Sequence, residues 1–83
     1  MPTAAELAEA VRDERMDFDD ALLDYLVEHH PDRLDLSFFM LMKVVMGYAA
    51  MGQWDKSVAL SDTEQFSVQD IIDRFGLMPF VEL

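Results

Sequence analysis

Apolar positions recur every three to four residues along most of the chain, and in one stretch they barely pause. Over residues 4–13, Ala4, Leu7, Ala8 and Val11 fall on one side while Glu6, Glu9 and Asp13 fall on another, the repeat of an amphipathic helix. Thr3, with Glu6 three residues on, has the capping-box spacing that opens such a helix. Asp17, with Asp20 three residues on, caps a second helix over residues 18–30. That helix carries Phe18, Leu22, Tyr25, Leu26 and His29 on one side, and Asp20, Asp24 and Glu28 on the other. Pro31 stops it, because a residue ahead of proline is pushed away from helical angles.

Residues 36–51 (LSFFMLMKVVMGYAAM) break the pattern. Asp32 or Asp35 caps this third helix, which runs to about Gly52 and has Lys43 as its only charge. Its remaining small or polar members are Ser37, Gly47, Ala49 and Ala50, so it is apolar almost all round and needs cover on every side. Gly47 costs a helix about 1 kcal/mol relative to alanine, and close approach of a neighbouring helix would explain it. Residues 53–60 read as a short helix, with Val58, Ala59 and Leu60 as an extended alternative, and a break at Ser61, Asp62 and Thr63. Ser67 with Asp70 caps a stripe of Val68, Ile71, Ile72 and Phe75, which Gly76 ends. The apolar tail after Gly76 contains Pro79 and reads as irregular chain packed across the core or a partner. The expected fold is all-α: a compact bundle of four to five short helices around a central apolar helix, in one small domain spanning 1–83.

Charge changes the picture. The net charge is −11, and residues 1–30 hold nine acids against Arg12 and Arg15, net −7. Residues 31–60 balance, and residues 61–83 return to net −4. Such a surface repels nucleic acid and anionic lipid, so neither is an expected partner, whereas a basic protein surface would be attracted. Glu6, Glu9 and Asp13, then Asp17, Asp20, Asp24 and Glu28, make two acidic ribbons, which read either as a solubilising face, the commoner case, or as a mimic of a nucleic-acid backbone toward such a surface. Apolar anchors to hold the partner are sought among Phe38, Phe39, Tyr48, Trp54 and Phe80, with Met40, Lys43 and Gly47 marking the part of the central helix left uncovered. Four of the seven methionines (Met40, Met42, Met46 and Met51) lie in that helix, and flexible thioethers suit both irregular cores and adaptable binding surfaces.

Other chemistry finds little purchase. There is no cysteine, which excludes disulfides, thiolate metal sites and cysteine nucleophiles and fits a cytoplasmic setting. The first fourteen residues lack a basic segment followed by an apolar one, and a run of sixteen residues with Lys43 inside it falls short of the roughly 20 apolar residues that span a bilayer. His29 and His30 are adjacent, about 100° apart on a helix, and cannot easily share one ion. His29 reads as a core-edge residue and His30 as a favourable group at a helix C-terminus. The carboxylates at 13–24 lack the glycine of a calcium loop, and no catalytic constellation completes them. No cofactor, metal or enzymatic activity is expected. The favoured reading is a small acidic protein that binds another protein as an inhibitor, adaptor or regulator. The alternative is a self-assembling structural or chaperone-like subunit in which a homodimer covers the central helix.

Tyr48, Gly52, Trp54 and Ser57 have the spacing of a tyrosine, a glycine four on, an aromatic two later and a small residue after three more. This resembles the middle of a tetratricopeptide repeat over about a dozen residues, and implies a turn between two antiparallel helices at Gly52 and Gln53. Ser61 and Glu64 stand where the family has an aromatic and a further small residue.

Overall fold

The computed structural model describes all 83 residues. The chain forms helix α1 (Ala4–Arg12), helix α2 (Phe18–His29), one 3-10 turn (Pro31–Arg33), helix α3 (Leu36–Ala50), strands β1 (Ser57–Ala59) and β2 (Gln65–Ser67), helix α4 (Val68–Phe75) and the single turn α5 (Met78–Val81). It is mostly helical, but the antiparallel β1–β2 pair corrects the all-α expectation.

Local signals set the helix starts. The Thr3 hydroxyl accepts from the Glu6 N–H at 3.1 Å, and the Glu6 carboxylate accepts in return from the Thr3 N–H at 3.0 Å. Asp17 accepts from the Asp19 N–H, Asp35 rather than Asp32 accepts from the Phe38 N–H at 2.7 Å, and Ser67 accepts from the Asp70 N–H. Each occupies a donor that the first turn leaves without a helical partner. The helix ends differ. Gly76 closes α4 at φ 67°, whereas α1 is followed by Glu14 at φ 60°. There the Arg15 N–H reaches the Ala10 carbonyl at 2.8 Å and the Glu14 N–H the Val11 carbonyl at 3.0 Å, so a glutamate holds the position glycine usually takes.

Helix α1 packs on α2, α3 packs on α4, and α5 lies against both α1 and α3. The centre, fully buried, is made by Leu22 and Leu26 of α2, Met42 and Val45 of α3, Val68, Ile71 and Ile72 of α4, and Leu77. The small Ala8 and Ala21, both buried, belong to the same cluster on the α1–α2 side. A chain of aromatic rings crosses the core from Phe18 through Phe80 and Tyr25 to His30, Phe75 and Phe38. The Tyr25 hydroxyl donates to the Phe75 carbonyl at 2.6 Å, and His30 Nε2 lies 3.3 Å from the same oxygen. Tyr25 of α2 and His30, the residue that follows that helix, thereby hold the last carbonyl of α4, a group that helix geometry leaves unpaired.

Three expectations are corrected. No helix forms over residues 53–60; the chain turns at Gly52 with φ 78°, and the extended alternative for residues 58–60 is the better guide. Val58 pairs across the hairpin with Phe66, both half-buried, and the Val68 and Gln69 N–H groups donate to the Lys56 and Trp54 carbonyls. A second strand thus supplies the backbone partners that a helix over 53–60 would have supplied from within. The turn implied by the tetratricopeptide resemblance is present, but it leads into a strand. The tail is not irregular, since Pro79 stands in the first turn of α5, where its missing N–H costs nothing. Gly47 is not explained by close approach: no atom lies within 4 Å of where its Cβ would stand.

Candidate interaction surface

On α3, successive side chains are turned by about 100°, so Leu36, Met40, Val44, Gly47 and Met51 all fall within about 80° of one another. This is the side that the other helices leave open. Leu36 is 75% exposed, Met51 65%, Met40 51% and Val44 48%. The opposite side of the same helix buries Phe38, Met42, Val45, Met46 and Ala49. Helix α2 adds Leu23 and Val27, one turn apart and both exposed, and the segment between the two helices adds Leu34. Large apolar side chains in water are therefore concentrated on α2, α3 and their connection.

Lys43 fixes how these rows adjoin. Its Nζ lies 3.0 Å from Asp19 Oδ2 and 5.7 Å from the centroid of the Phe39 ring, so the row Asp19–Leu23–Val27 is the side of α2 turned toward α3. The next row round α2 is Asp20, Asp24 and Glu28, all exposed. Round α2, an acidic row therefore borders the apolar row, and the Lys43–Asp19 ion pair ties that flank of α2 to α3, which carries an exposed apolar row of its own. At the α5 end, a cleft of about 340 Å³ opens between Phe18, Lys43, Met46, Gly47, Ala50 and Phe80. Gly47 leaves this cleft unobstructed because it has no side chain to project over it.

All seven residues of the two acidic ribbons (Glu6, Glu9, Asp13, Asp17, Asp20, Asp24 and Glu28) are exposed. Glu6 is committed to the α1 cap; its hydrogen bonds with the Thr3 backbone and hydroxyl hold its carboxyl below the usual range. Asp13 pairs with Arg15 at 3.3 Å and Asp17 caps α2. Glu9, Asp20, Asp24 and Glu28 make no ion pair or side-chain hydrogen bond within the chain, so their charge is directed at solvent.

The anchors expected from sequence separate by burial. Phe38 and Phe80 belong to the core, whereas Phe39, Tyr48 and Trp54 are half-buried against it, with Lys56 lying 4.9 Å over the Tyr48 ring. Met40 and Gly47 are exposed, and Lys43 is half-buried in its ion pair. Leu36, Val44 and Met51 were missed as surface residues although the signal was present: stepping by four and three from Leu36 reaches each of them. Choosing aromatics as anchors favoured the residues that the core claims first. His29 is exposed and stacks on Tyr25 with its Nε2 3.0 Å from the Pro2 carbonyl, so it clasps the start of α1 rather than lining the core.

No three His, Asp or Glu side chains stand together as metal ligands would, and no helix is long and apolar enough to cross a membrane. Comparison with protein-family models, curated proteins and solved structures finds no match for this chain.

Proposed function

We propose that the protein acts by binding another protein, as an inhibitor, adaptor or regulator, rather than by catalysis. The observation that supports this is the open side of α3, where four large apolar side chains form one row on an otherwise charged molecule. Full burial of such a side chain contributes about 1.5–3 kcal/mol, so covering half-exposed ones in a row yields enough to anchor an interface. The unpaired carboxylates of α1 and α2 steer a basic partner toward it and set the salt dependence of encounter.

Affinity capture from the native host tests the reading. The protein should retain a basic partner at low ionic strength and release it at about 1 M salt, where the Debye length falls to about 3 Å. Val44→Glu, at an exposed position, should abolish retention without altering the melting temperature. Equal retention by Val44→Glu and the parent chain would refute the reading. A second copy of the chain is the competing occupant, favoured by the absence of any acid in residues 36–51. Sedimentation showing a dimer that persists in about 1 M salt and is dissociated by Val44→Glu would establish it instead.

A further inference from the structure

Resting on the protein-binding reading, the geometry points to a partner of defined shape and charge: an amphipathic helix with lysine or arginine along one border of its apolar face, seated along the open row of α3 and the flank of α2 that the Lys43–Asp19 ion pair ties to it. Three observations converge on this. The open apolar surface is linear, since Leu36 to Met51 spans about 22 Å at 1.5 Å per residue, the length of four helical turns. A helix presents its anchors at matching spacings of three and four residues, whereas a globular surface would need a broader floor.

Charge selects the sign of the border. The apolar row of α2 (Leu23 and Val27) is bounded on its outer side by Asp20, Asp24 and Glu28, at the same four-residue spacing and without cations of their own. A helix about 10 Å across, laid over the two apolar rows, brings its flank to that acidic row, where lysine or arginine stems cross the apolar edge before their charges meet the carboxylates. A second copy would bring the same acidic row and a net charge of −11 of its own, the wrong sign for this border.

The third observation is the cleft at Gly47. It lies toward one end of the open row of α3, is walled by Phe18, Met46 and Phe80, and is large enough for one bulky apolar side chain. Gly47 is the poorest helix former in α3, and no close neighbour inside the fold explains it. An anchor inserted from the docked helix gives it a reason: any larger residue would project into the space the anchor uses.

The test uses three labelled peptides of about 18 residues, roughly five helical turns, and fluorescence anisotropy at low salt. One has an apolar face bordered by lysines, the second has the same face bordered by glutamates, and the third is a scramble of the first. The first should bind at least about tenfold more tightly than either control. Replacing Asp20→Asn, Asp24→Asn and Glu28→Gln together should weaken it about tenfold and flatten its salt dependence. Gly47→Leu should weaken it by a similar factor while leaving the helical circular-dichroism melt intact, so loss of fold is separated from loss of site.

Equal binding of the scramble or of the glutamate-bordered peptide would overturn the inference, as would binding of none of the three. If none binds while Val44→Glu still abolishes capture of the native partner, the helical partner is wrong and the protein-binding reading stands. If none binds and Val44→Glu leaves capture intact, both fall.

Discussion

Helices α3 and α4 lie against each other and divide their surfaces in different ways. In α4, Val68, Ile71, Ile72 and Phe75 are buried while Asp70, Asp73 and Arg74 face water, so apolar and polar positions coincide with inside and outside. In α3, Phe38, Met42, Val45, Met46 and Ala49 are buried, and Leu36, Met40, Val44 and Met51, of the same chemical kind, are not. What separates the two sides of α3 is the supply of neighbours. The other helices are four to twelve residues long, and two of them are already engaged with each other as the α1–α2 pair. Hydrophobicity in α4 therefore describes the fold alone. In α3 it describes the fold on one side and an exposed apolar row on the other.

The comparison breaks most readily by the same substitution on its two sides. Met42→Ala, at a fully buried site, should destabilise by about 2–5 kcal/mol in urea titration, whereas Met40→Ala should change stability by less than about 0.5 kcal/mol. A comparable loss from both would mean that the outer row is already packed in solution. The next largest effect is at the end of α4. Gly76→Ala places a Cβ 2.7 Å from the Tyr25 hydroxyl at a backbone angle that costs alanine about 1–2 kcal/mol, so the thermal midpoint should fall accordingly.

Removing the Tyr25 hydroxyl by Tyr25→Phe should cost about 1 kcal/mol near neutral pH, since it withdraws one of the two groups holding the Phe75 carbonyl. It also carries a pH signature. Burial pushes the Tyr25 phenol above its usual value of 10.0, so the folded chain holds that proton more tightly than the unfolded one. The resulting stability is fully present below about pH 10 and declines as pH rises toward the folded value. Urea titrations at about pH 8 and pH 11 should show this decline in the parent chain and a smaller one in Tyr25→Phe. The smallest effect reverses sign. Gly47→Ala, with open space around the new methyl group, should stabilise by about 0.5–1 kcal/mol in thermal melts while weakening any partner that uses the cleft.

Thr3, Asp17, Asp35 and Ser67 announced their helices because capping depends on one short side chain at a fixed distance from the first turn. The stripe of α4 was readable for the same local reason. The hairpin was not, because three residues per strand are too few for an alternation to register, and Trp54 and Val58, four apart, imitate a helix. Its pairing is decided by Phe66, eight residues beyond Val58, which no local pattern connects to it. The acidic ribbons were readable in full as exposed rows. The apolar side of the surface was readable only in part: Met40, Lys43 and Gly47 marked the right side of α3, but the aromatic candidates pointed inward. Which side of a uniformly apolar helix stays open is set by where α4 and α5 dock, and those contacts are long-range.

The hydrogen bond from Tyr25 to Phe75 joins residues fifty positions apart and closes most of the chain into a ring. Closing a loop of that size costs conformational entropy that grows with the logarithm of its length, whereas the α1–α2 hairpin closes through only five linking residues. The hairpin is therefore suited to assemble early, with the Tyr25 clasp locking α4 onto it late. A bond made after the folding barrier would leave the folding rate nearly untouched and act as a brake on opening, so Tyr25→Phe should speed unfolding more than it slows folding in stopped-flow measurements.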